Sequence, residues 1–315
     1  MRSSNKKIIA IFVADIHLQL NAPVWRSNEP DWFAAMKRPL DEIKDIQKKY
    51  NCPVICAGDV FDRWNSPPEL INFAIENLPF LYSIPGQHDL PLHSYDDIKK
   101  SAYWTLVKAG RLLNLPHNEV LNMDGNITLH GFPFGSKITP PNEKYRRRIN
   151  IAITHQYVWM EGHSYKTAPI ENEINTKTYK QFANYDISVF GDNHCGFMGE
   201  VFDDKLKKVF FNCGSLMRRH SDQIDYRPQI GLLYEDGFIM PHYLDISKDK
   251  YIELEGEIKL GTISISIKSF IDELEKLCST DLDFHETMKQ CITKSKISKA
   301  VENIILRAME NGCIK

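Results

Sequence analysis

The hexapeptide Ala57-Gly58-Asp59-Val60-Phe61-Asp62 closes a short apolar run, Pro53 to Ala57, that has the length and composition of a buried strand. A glycine at that point lets the backbone turn sharply and leaves Asp59 at the strand's carboxyl edge, where open α/β sheets place their ligands. A carboxylate there can hold a cation, and its two oxygens can bridge two cations roughly 3.5–4 Å apart, the spacing of two-metal hydrolases. Taken alone, Gly-Asp is as well explained by a solvated turn. The constraint on the fold comes from recurrence.

The run Ile8 to Ala14 also ends in polar residues, Asp15-Ile16-His17, and in extended backbone two side chains one residue apart point the same way and can grip one ion. A third run, Phe80 to Ile84, ends in Pro85-Gly86-Gln87-His88-Asp89; a fourth, Ile149 to Thr154, in His155-Gln156; a fifth, Ile187 to Phe190, in Gly191-Asp192-Asn193-His194. Parallel strands bring such ends together in space although they lie far apart in sequence. Between them, Phe33 to Lys49 has helical spacing (Phe33, Met36, Leu40, Ile43, Ile46), and Pro67-Pro68 opens a second helix that runs to about Asn77. A third helix is expected near Asp97 to Ala109, and strands at Glu119 to Met123 and Ile127 to Phe132 flank the turn Asp124-Gly125.

Shorter, apparently antiparallel strands follow at Lys208 to Asn212, Gly231 to Glu235 and Phe238 to Leu244, and are expected to complete a second sheet. Near Lys248 the texture changes. Residues 252–267 alternate apolar and polar in places, and 267–278 and 296–309 have the spacing of amphipathic helices. The expected organisation is therefore residues 1–247 as one domain and 248–315 as a small cap.

With 315 residues the chain can bury a full core, and its 39 basic against 41 acidic residues give no overall basic footprint of a nucleic-acid binder. Seven scattered cysteines without a zinc-type pair favour reduced thiols in a cytosol-like compartment. No apolar run is long enough for a membrane span, so no anchor or membrane partner is expected.

In order, Asp-x-His, Gly-Asp-x-x-Asp, Gly-Asn-His-Asp, a lone histidine after a strand and Gly-His-x-His are the signature of the calcineurin-like metallophosphoesterases. This chain resembles that family through Asp15-His17, Gly58-Asp59-Asp62, Gly86-Gln87-His88-Asp89, His155 and Gly191-Asp192-Asn193-His194. Within the family it looks most similar to the SbcD-type DNA repair nucleases, through Ala57 to Asp62 followed by Ser66-Pro67-Pro68, the His155-Gln156 pair and Gly214-Ser215. The resemblance implies a two-sheet α/β/β/α sandwich with a C-terminal helical cap. It implies one metal on Asp15, His17, Asp59 and His194, and a second on Asp59, Gln87, His155 and Asp192. Gln87 stands where Asn is usual and Asp192 where the first His of Gly-His-x-His is usual. Both departures make the second site harder and more anionic, which points to two divalent ions of the manganese or magnesium type rather than zinc.

Such a pair acidifies a shared water, giving a hydroxide placed for in-line attack on phosphorus. His88 is the candidate proton donor to the leaving oxygen, with Asp62 or Asp89 orienting its ring. Arg218 and Arg219 are candidate phosphate contacts, and Trp25, Trp32, Trp64 and Trp159 candidate stacking or packing residues. The leading expectation is a DNA exo- or endonuclease. Its candidate partners are DNA, an SMC-like ATPase engaging the C-terminal region, and a second copy of the chain. One rival keeps the chemistry and changes the substrate to a nucleotide or small phosphoester; another is a non-catalytic scaffold.

Overall fold

A computed structural model describes residues 6–163, 169–174, 178–203, 206–252, 257–260 and 263–266, together with Ser269 and Asp272. The chain divides into two compact units. The larger comprises Met1–Ala22, Glu29–Arg218 and Ile224–Asp249, and the other comprises Pro23–Asn28, Arg219–Gln223 and the residues from Lys250 on.

In the larger unit, strand β1 (Ile8–Val13) leads to helix α1 (Trp32–Tyr50), β2 (Val54–Cys56), α2 (Pro68–Asn77), β3 (Leu81–Ser83), α3 (Ala102–Lys108) and β4 (Leu112–Asn114). The helices start where their sequences provide caps. Asp31 accepts from the Ala34 N–H at the head of α1, Pro68 opens α2, and Ser101 accepts from the Trp104 N–H at the head of α3. β5 (Val120–Met123), β6 (Ile127–Phe132), β7 (Ile149–His155), β8 (Ile187–Gly191), β9 (Phe197–Asp203), β10 (Leu206–Asn212), β11 (Gln229–Tyr234) and β12 (Ile239–Tyr243) follow.

The strands form two six-stranded mixed sheets, ordered β12-β11-β1-β2-β3-β4 and β5-β6-β7-β8-β10-β9. β1 to β4 are parallel, as are β6, β7, β8 and β10, while β11 and β12 are antiparallel additions to the first sheet. This corrects the expected placement of the strands near 231–235 and 238–244, which do not complete the second sheet. β1 would otherwise be a bare edge in the middle of the fold, and β11 pairs that edge from Ile8 to Phe12.

β1 is buried along its whole length because both faces are covered. Ile11 and Val13 pack toward the helices with Met36, Leu40, Leu70 and Leu106, whereas Ala10, Phe12 and Ala14 face the second sheet with Ile151, Ile153, Val189 and Phe211. The far side of the second sheet is covered differently. Ile174 and Phe182, from irregular segments with 3-10 turns, pack there on Phe190 and Phe210.

In the other unit, β13 (Glu257–Leu260) and β14 (Ile263–Ser266) form an antiparallel pair within the segment of expected alternation. There Trp25 is fully buried and stacks on Tyr251 at 4.3 Å between ring centroids. Apart from Ser269 and Asp272, the amphipathic helices expected over 267–278 and 296–309 lie outside the described residues. Among the described residues no helix is long and apolar enough to cross a membrane, and Cys52, Cys56 and Cys213 are free thiols.

Candidate metal centre

Strand register puts the chemistry at one edge. Val13 lies beside Cys56, Cys56 beside Ser83, and in the other sheet His155 beside Gly191, so the segments that follow leave both sheets at their carboxyl ends. The loops after β1 and β2 are then laced together: Asp15 N–H donates to Gly58 O, His17 N–H to Asp59 O and Leu18 N–H to Val60 O, all at 2.9–3.0 Å.

Asp15, His17 and Asp59 have φ of 48°, 47° and 55°. The expectation that Asp15 and His17 share a side because they sit in extended backbone is thus corrected, since β1 ends at Val13 and both residues are left-handed. The left-handed region is sparsely populated by residues other than glycine and costs of order 1 kcal/mol each, a kind of strain that clusters at functional sites.

The side chains meet. His17 Nε2 lies 3.1 Å from His194 Nε2, 3.7 Å from Asp15 Oδ1 and 3.6 Å from Asp59 Oδ2. His155 Nε2 lies 3.2 Å from Asp59 Oδ2, and Asp15, Asp59 and His155 offer three ligand atoms within 4.8 Å of one another. Asp15, His17 and His194 do the same, as do His17, Asp62 and His88; the first two groupings share Asp15, and the last two share His17. Glycines make the room. A Cβ on Gly58 (φ +103°) would fall 2.3 Å from His155 Nδ1, and one on Gly86 would fall 2.1 Å from Asp59 Oδ1.

His155 Nε2 lies 3.2 Å from Asp59 Oδ2, and Gln87 Oε1 is buried with no hydrogen-bond partner. His155 Nδ1 lies 2.6 Å from Ala57 O, a pure acceptor, so Nδ1 carries a proton, and with the neighbouring carboxylates favouring the charged ring Nε2 carries another and faces Asp59. A divalent cation would take the place of that second proton, and the donor set of carboxylate, imidazole and amide oxygen suits it. The residues present fit the metal centre that the signature implies.

The other expected residues fall into distinct places. His88 Nδ1 donates to the Asp62 carbonyl oxygen at 2.8 Å, so its ring is oriented by backbone and not by a carboxylate. The Asp62 carboxylate faces His17 instead, with Oδ1 3.5 Å from Nδ1. Asp89 accepts from the Val60, Phe61 and Gly86 N–H groups and so ties the loop after β2 to the loop after β3. Asp192 accepts from Gln87 Nε2 at 2.7 Å, and its own N–H donates to both Asp15 oxygens at 3.1 Å.

Arg218 is 6% exposed and spends its guanidinium on Ile224 O and Asp249 Oδ2, and Arg219, in the other unit, is 5% exposed. The structure therefore does not present this pair at the surface. A lone basic doublet in sequence carries no sign of burial, and here the partner Asp249 is 31 residues away. Trp32 is buried with Nε1 donating to Gln19 O, and Trp159 Nε1 donates to Pro169 O, which are packing roles. Residues not singled out from sequence hold the last loop. Asn193 Nδ2 donates to Val158 O and His163 O, and Asn212 Nδ2 to Asn193 O and Cys195 O. The asparagine inside Gly191 to His194 was the available signal, since a polar side chain in a tight loop bonds backbone.

Burial raises Asp15 well above the ordinary carboxyl range; His155 opposes that shift, while Asp59 and Asp192 add to it. Burial and the Asp59 charge push Asp89 up to about 7 against its three backbone donors. Burial also acts on Asp59, but the charges of His155, His17 and His88 outweigh it and hold that carboxyl below its usual range. Burial disfavours the charged His155 ring, but Asp59, Asp15 and Asp192 raise it well above 6.5.

A carboxyl or imidazole raised in the folded state contributes stability below its unfolded pKa and loses it as pH climbs through the folded value. Asp15, Asp89 and His155 therefore act in one direction between pH 5 and 7.5, and the window of Asp59 lies below pH 4. Held at about 7 against an unfolded value near 4, Asp89 alone would lose on the order of 3 kcal/mol from pH 5 to 7. In chelator, the Tm is expected to fall by on the order of 10 °C from pH 5 to 7.5. Saturating manganese should reverse the trend, because ligands bind a cation deprotonated. Differential scanning calorimetry with and without the ion checks both signs, and a Tm that climbs with pH in chelator would contradict this assignment.

Residues 10–196 match the calcineurin-like phosphoesterase family, more than half of the chain, and the protein belongs to that family. The matched residues include every candidate ligand for divalent metal described above. No curated protein matches the chain in sequence. Among solved structures it is similar to a 5'-nucleotidase from Candida albicans SC5314, at 13% identity and a TM-score of 0.41 over 92% of this chain and 59% of that one. It is also similar to a Staphylococcus aureus protein provisionally named a 5'-nucleotidase, in complex with alpha-ketoglutarate, at 11% identity and a TM-score of 0.42 over 84% of this chain and 58% of that one. The chain thus spans less than two thirds of each, and likeness at this level says nothing about substrate.

Proposed function

We propose that this protein is a metal-dependent phosphodiesterase acting on DNA, with manganese or magnesium as its divalent ions. The observation that carries the hydrolytic part is the convergence of Asp15, His17, Asp59, His155 and His194, beside the unpartnered buried Gln87 amide oxygen. When bound, the cation pair supplies charge neutralisation at the phosphoryl oxygens and acidifies water.

Asp15, His17, Asp59 and His194 would hold one ion, and Asp59 and His155, with the Gln87 amide oxygen, the other. Burial of Asp15 and Asp59 keeps bulk water from competing for the charges. His88 supports proton transfer by its anchoring: with Nδ1–H committed to Asp62 O, only Nε2 of this half-buried ring can carry a proton to the leaving oxygen.

DNA as substrate is supported by the similarity of the motifs around Asp59, His155 and Gly214-Ser215 to those of SbcD-type nucleases. A second reading, a nucleotide or small phosphoester, is favoured by one specific observation. Arg218 is buried against Asp249, so this arginine is not available to track a phosphate backbone.

Incubation with manganese, labelled single- and double-stranded DNA, and bis-p-nitrophenyl phosphate separates the readings. Cleavage of DNA supports the proposal. Turnover of the small ester alone replaces it with the second reading, and no turnover under several divalent metals leaves a scaffold. An SMC-like ATPase engaging the C-terminal region and a second copy of the chain are the proposed protein partners; co-purification and light scattering test them.

A further inference from the structure

We propose that Asp192 is a positioning residue, which aims the Gln87 amide oxygen at the cation shared by Asp59 and His155, and is not itself a ligand. The inference rests on the metal-centre reading above and concerns a pair of residues that departs from the family signature at two points in sequence.

The Gln87 side chain carries one donor end and one acceptor end, and the two ends have different surroundings. Nε2 donates to Asp192 Oδ1 at 2.7 Å. A carboxylate only accepts, so Asp192 can hold this amide by its nitrogen alone, and the carbonyl end is turned the other way. That end, Oε1, is buried and has no hydrogen-bond partner. A buried oxygen left unsatisfied is costly, and a cation beside Asp59 and His155 would relieve it.

Asp192 itself is placed differently. Its N–H donates to both Asp15 oxygens, its φ is +82°, and among the described residues it belongs to none of the carboxylate and imidazole groupings with ligand atoms within 4.8 Å. Its backbone is thus fixed by one expected ligand, Asp15, and its side chain is spent on another, Gln87.

This makes the two departures a single change. Glutamine has one more rotatable bond than asparagine, and an unrestrained amide would sample both its oxygen and its nitrogen toward the cation. An acceptor-only partner at position 192 removes that ambiguity; an imidazole there, bound to the metal, would not. The reasoning from sequence, in which Asp192 adds a charged ligand to the second site, is replaced by one in which a neutral amide oxygen takes that place and the charge stands behind it.

The test is a calorimetric manganese titration of the full chain, with free manganese read independently by electron paramagnetic resonance. Asp192→Ala is expected to weaken the second binding event about 10- to 100-fold, the usual cost of losing an outer partner of a ligand. Asp192→Asn, which keeps an oxygen able to accept from Nε2, is expected to restore most of that affinity. The deciding comparison is Asp192→Ala in a Gln87→Ala background, where a residue acting only through Gln87 has no further effect. Equal losses for Asp192→Ala with and without Gln87 would show direct ligation and overturn the proposal. The Tm of each variant in chelator and an unchanged first binding event confirm that the variants fold. A wild-type protein that binds no manganese at all would instead remove the metal-centre reading, which is a distinguishable failure.

Discussion

Asp59→Asn is expected to lower kcat/KM for phosphoester hydrolysis by at least about 10³-fold, equivalent to roughly 4 kcal/mol of transition-state stabilisation. The substitution keeps the shape of the side chain and the oxygen that accepts from the His88 N–H at 2.9 Å, so the loop geometry should survive. What it removes is the negative charge on the one carboxylate within 3.6 Å of both His17 and His155. With that charge gone, the Asp15-Asp59-His155 grouping loses one of its two carboxylates and His17 loses the one 3.6 Å away, so manganese binding measured by calorimetry should weaken along with turnover. Retention of either activity or stoichiometric binding would show that hydrolysis is carried elsewhere or that a contaminant is responsible.

His88→Asn should separate proton transfer from metal binding. Loss of a positioned general acid costs typically 10²–10⁴-fold in kcat. His88 groups with His17 and Asp62, but its Nδ1 is committed to Asp62 O and it lies outside both groupings that contain Asp15, so manganese stoichiometry should be unchanged. The size of the loss should depend on the leaving group. An alkoxide leaving from DNA needs a proton, whereas p-nitrophenolate departs without one, so the chromogenic ester should be hydrolysed with a much smaller penalty. A uniform loss on both substrates, or loss of bound manganese, would argue that His88 serves the metal centre and not the leaving oxygen.

Much of the sheet framework was legible because buried parallel strands are short apolar runs with abrupt ends. β1, β2 and β3 fall within the runs read from sequence, β7 and β8 start with theirs and run one residue further, and α2 starts at the second proline of Pro67-Pro68 as expected. β4 and β9 were missed. Leu112–Asn114 is only three residues long, and Phe197–Asp203 has glycine and charge inside it, so neither carries a periodic signal. Which sheet β11 and β12 join was not legible either. Pairing is decided by which edge is left open once the parallel strands have been laid down, and that is a property of the assembled fold.

At the site the difference is sharper. The chemical types of the ligands follow from local sequence alone: a cation needs carboxylate, imidazole and amide groups, and these stand at five strand ends in readable order. Whether a given group points at the cation or supports one that does was decided only by tertiary contact. Asp192 reads as a ligand along the chain, and in the fold one of its oxygens, Oδ1, accepts from Gln87, 105 residues away. Asp89 reads as a partner for His88 but is taken up by three backbone N–H groups. Arg218 reads as a phosphate contact but is buried on Asp249. The physical reason is that a side chain's composition sets what it can bond, while burial and the nearest complementary group, both contributed by distant segments, set what it does bond.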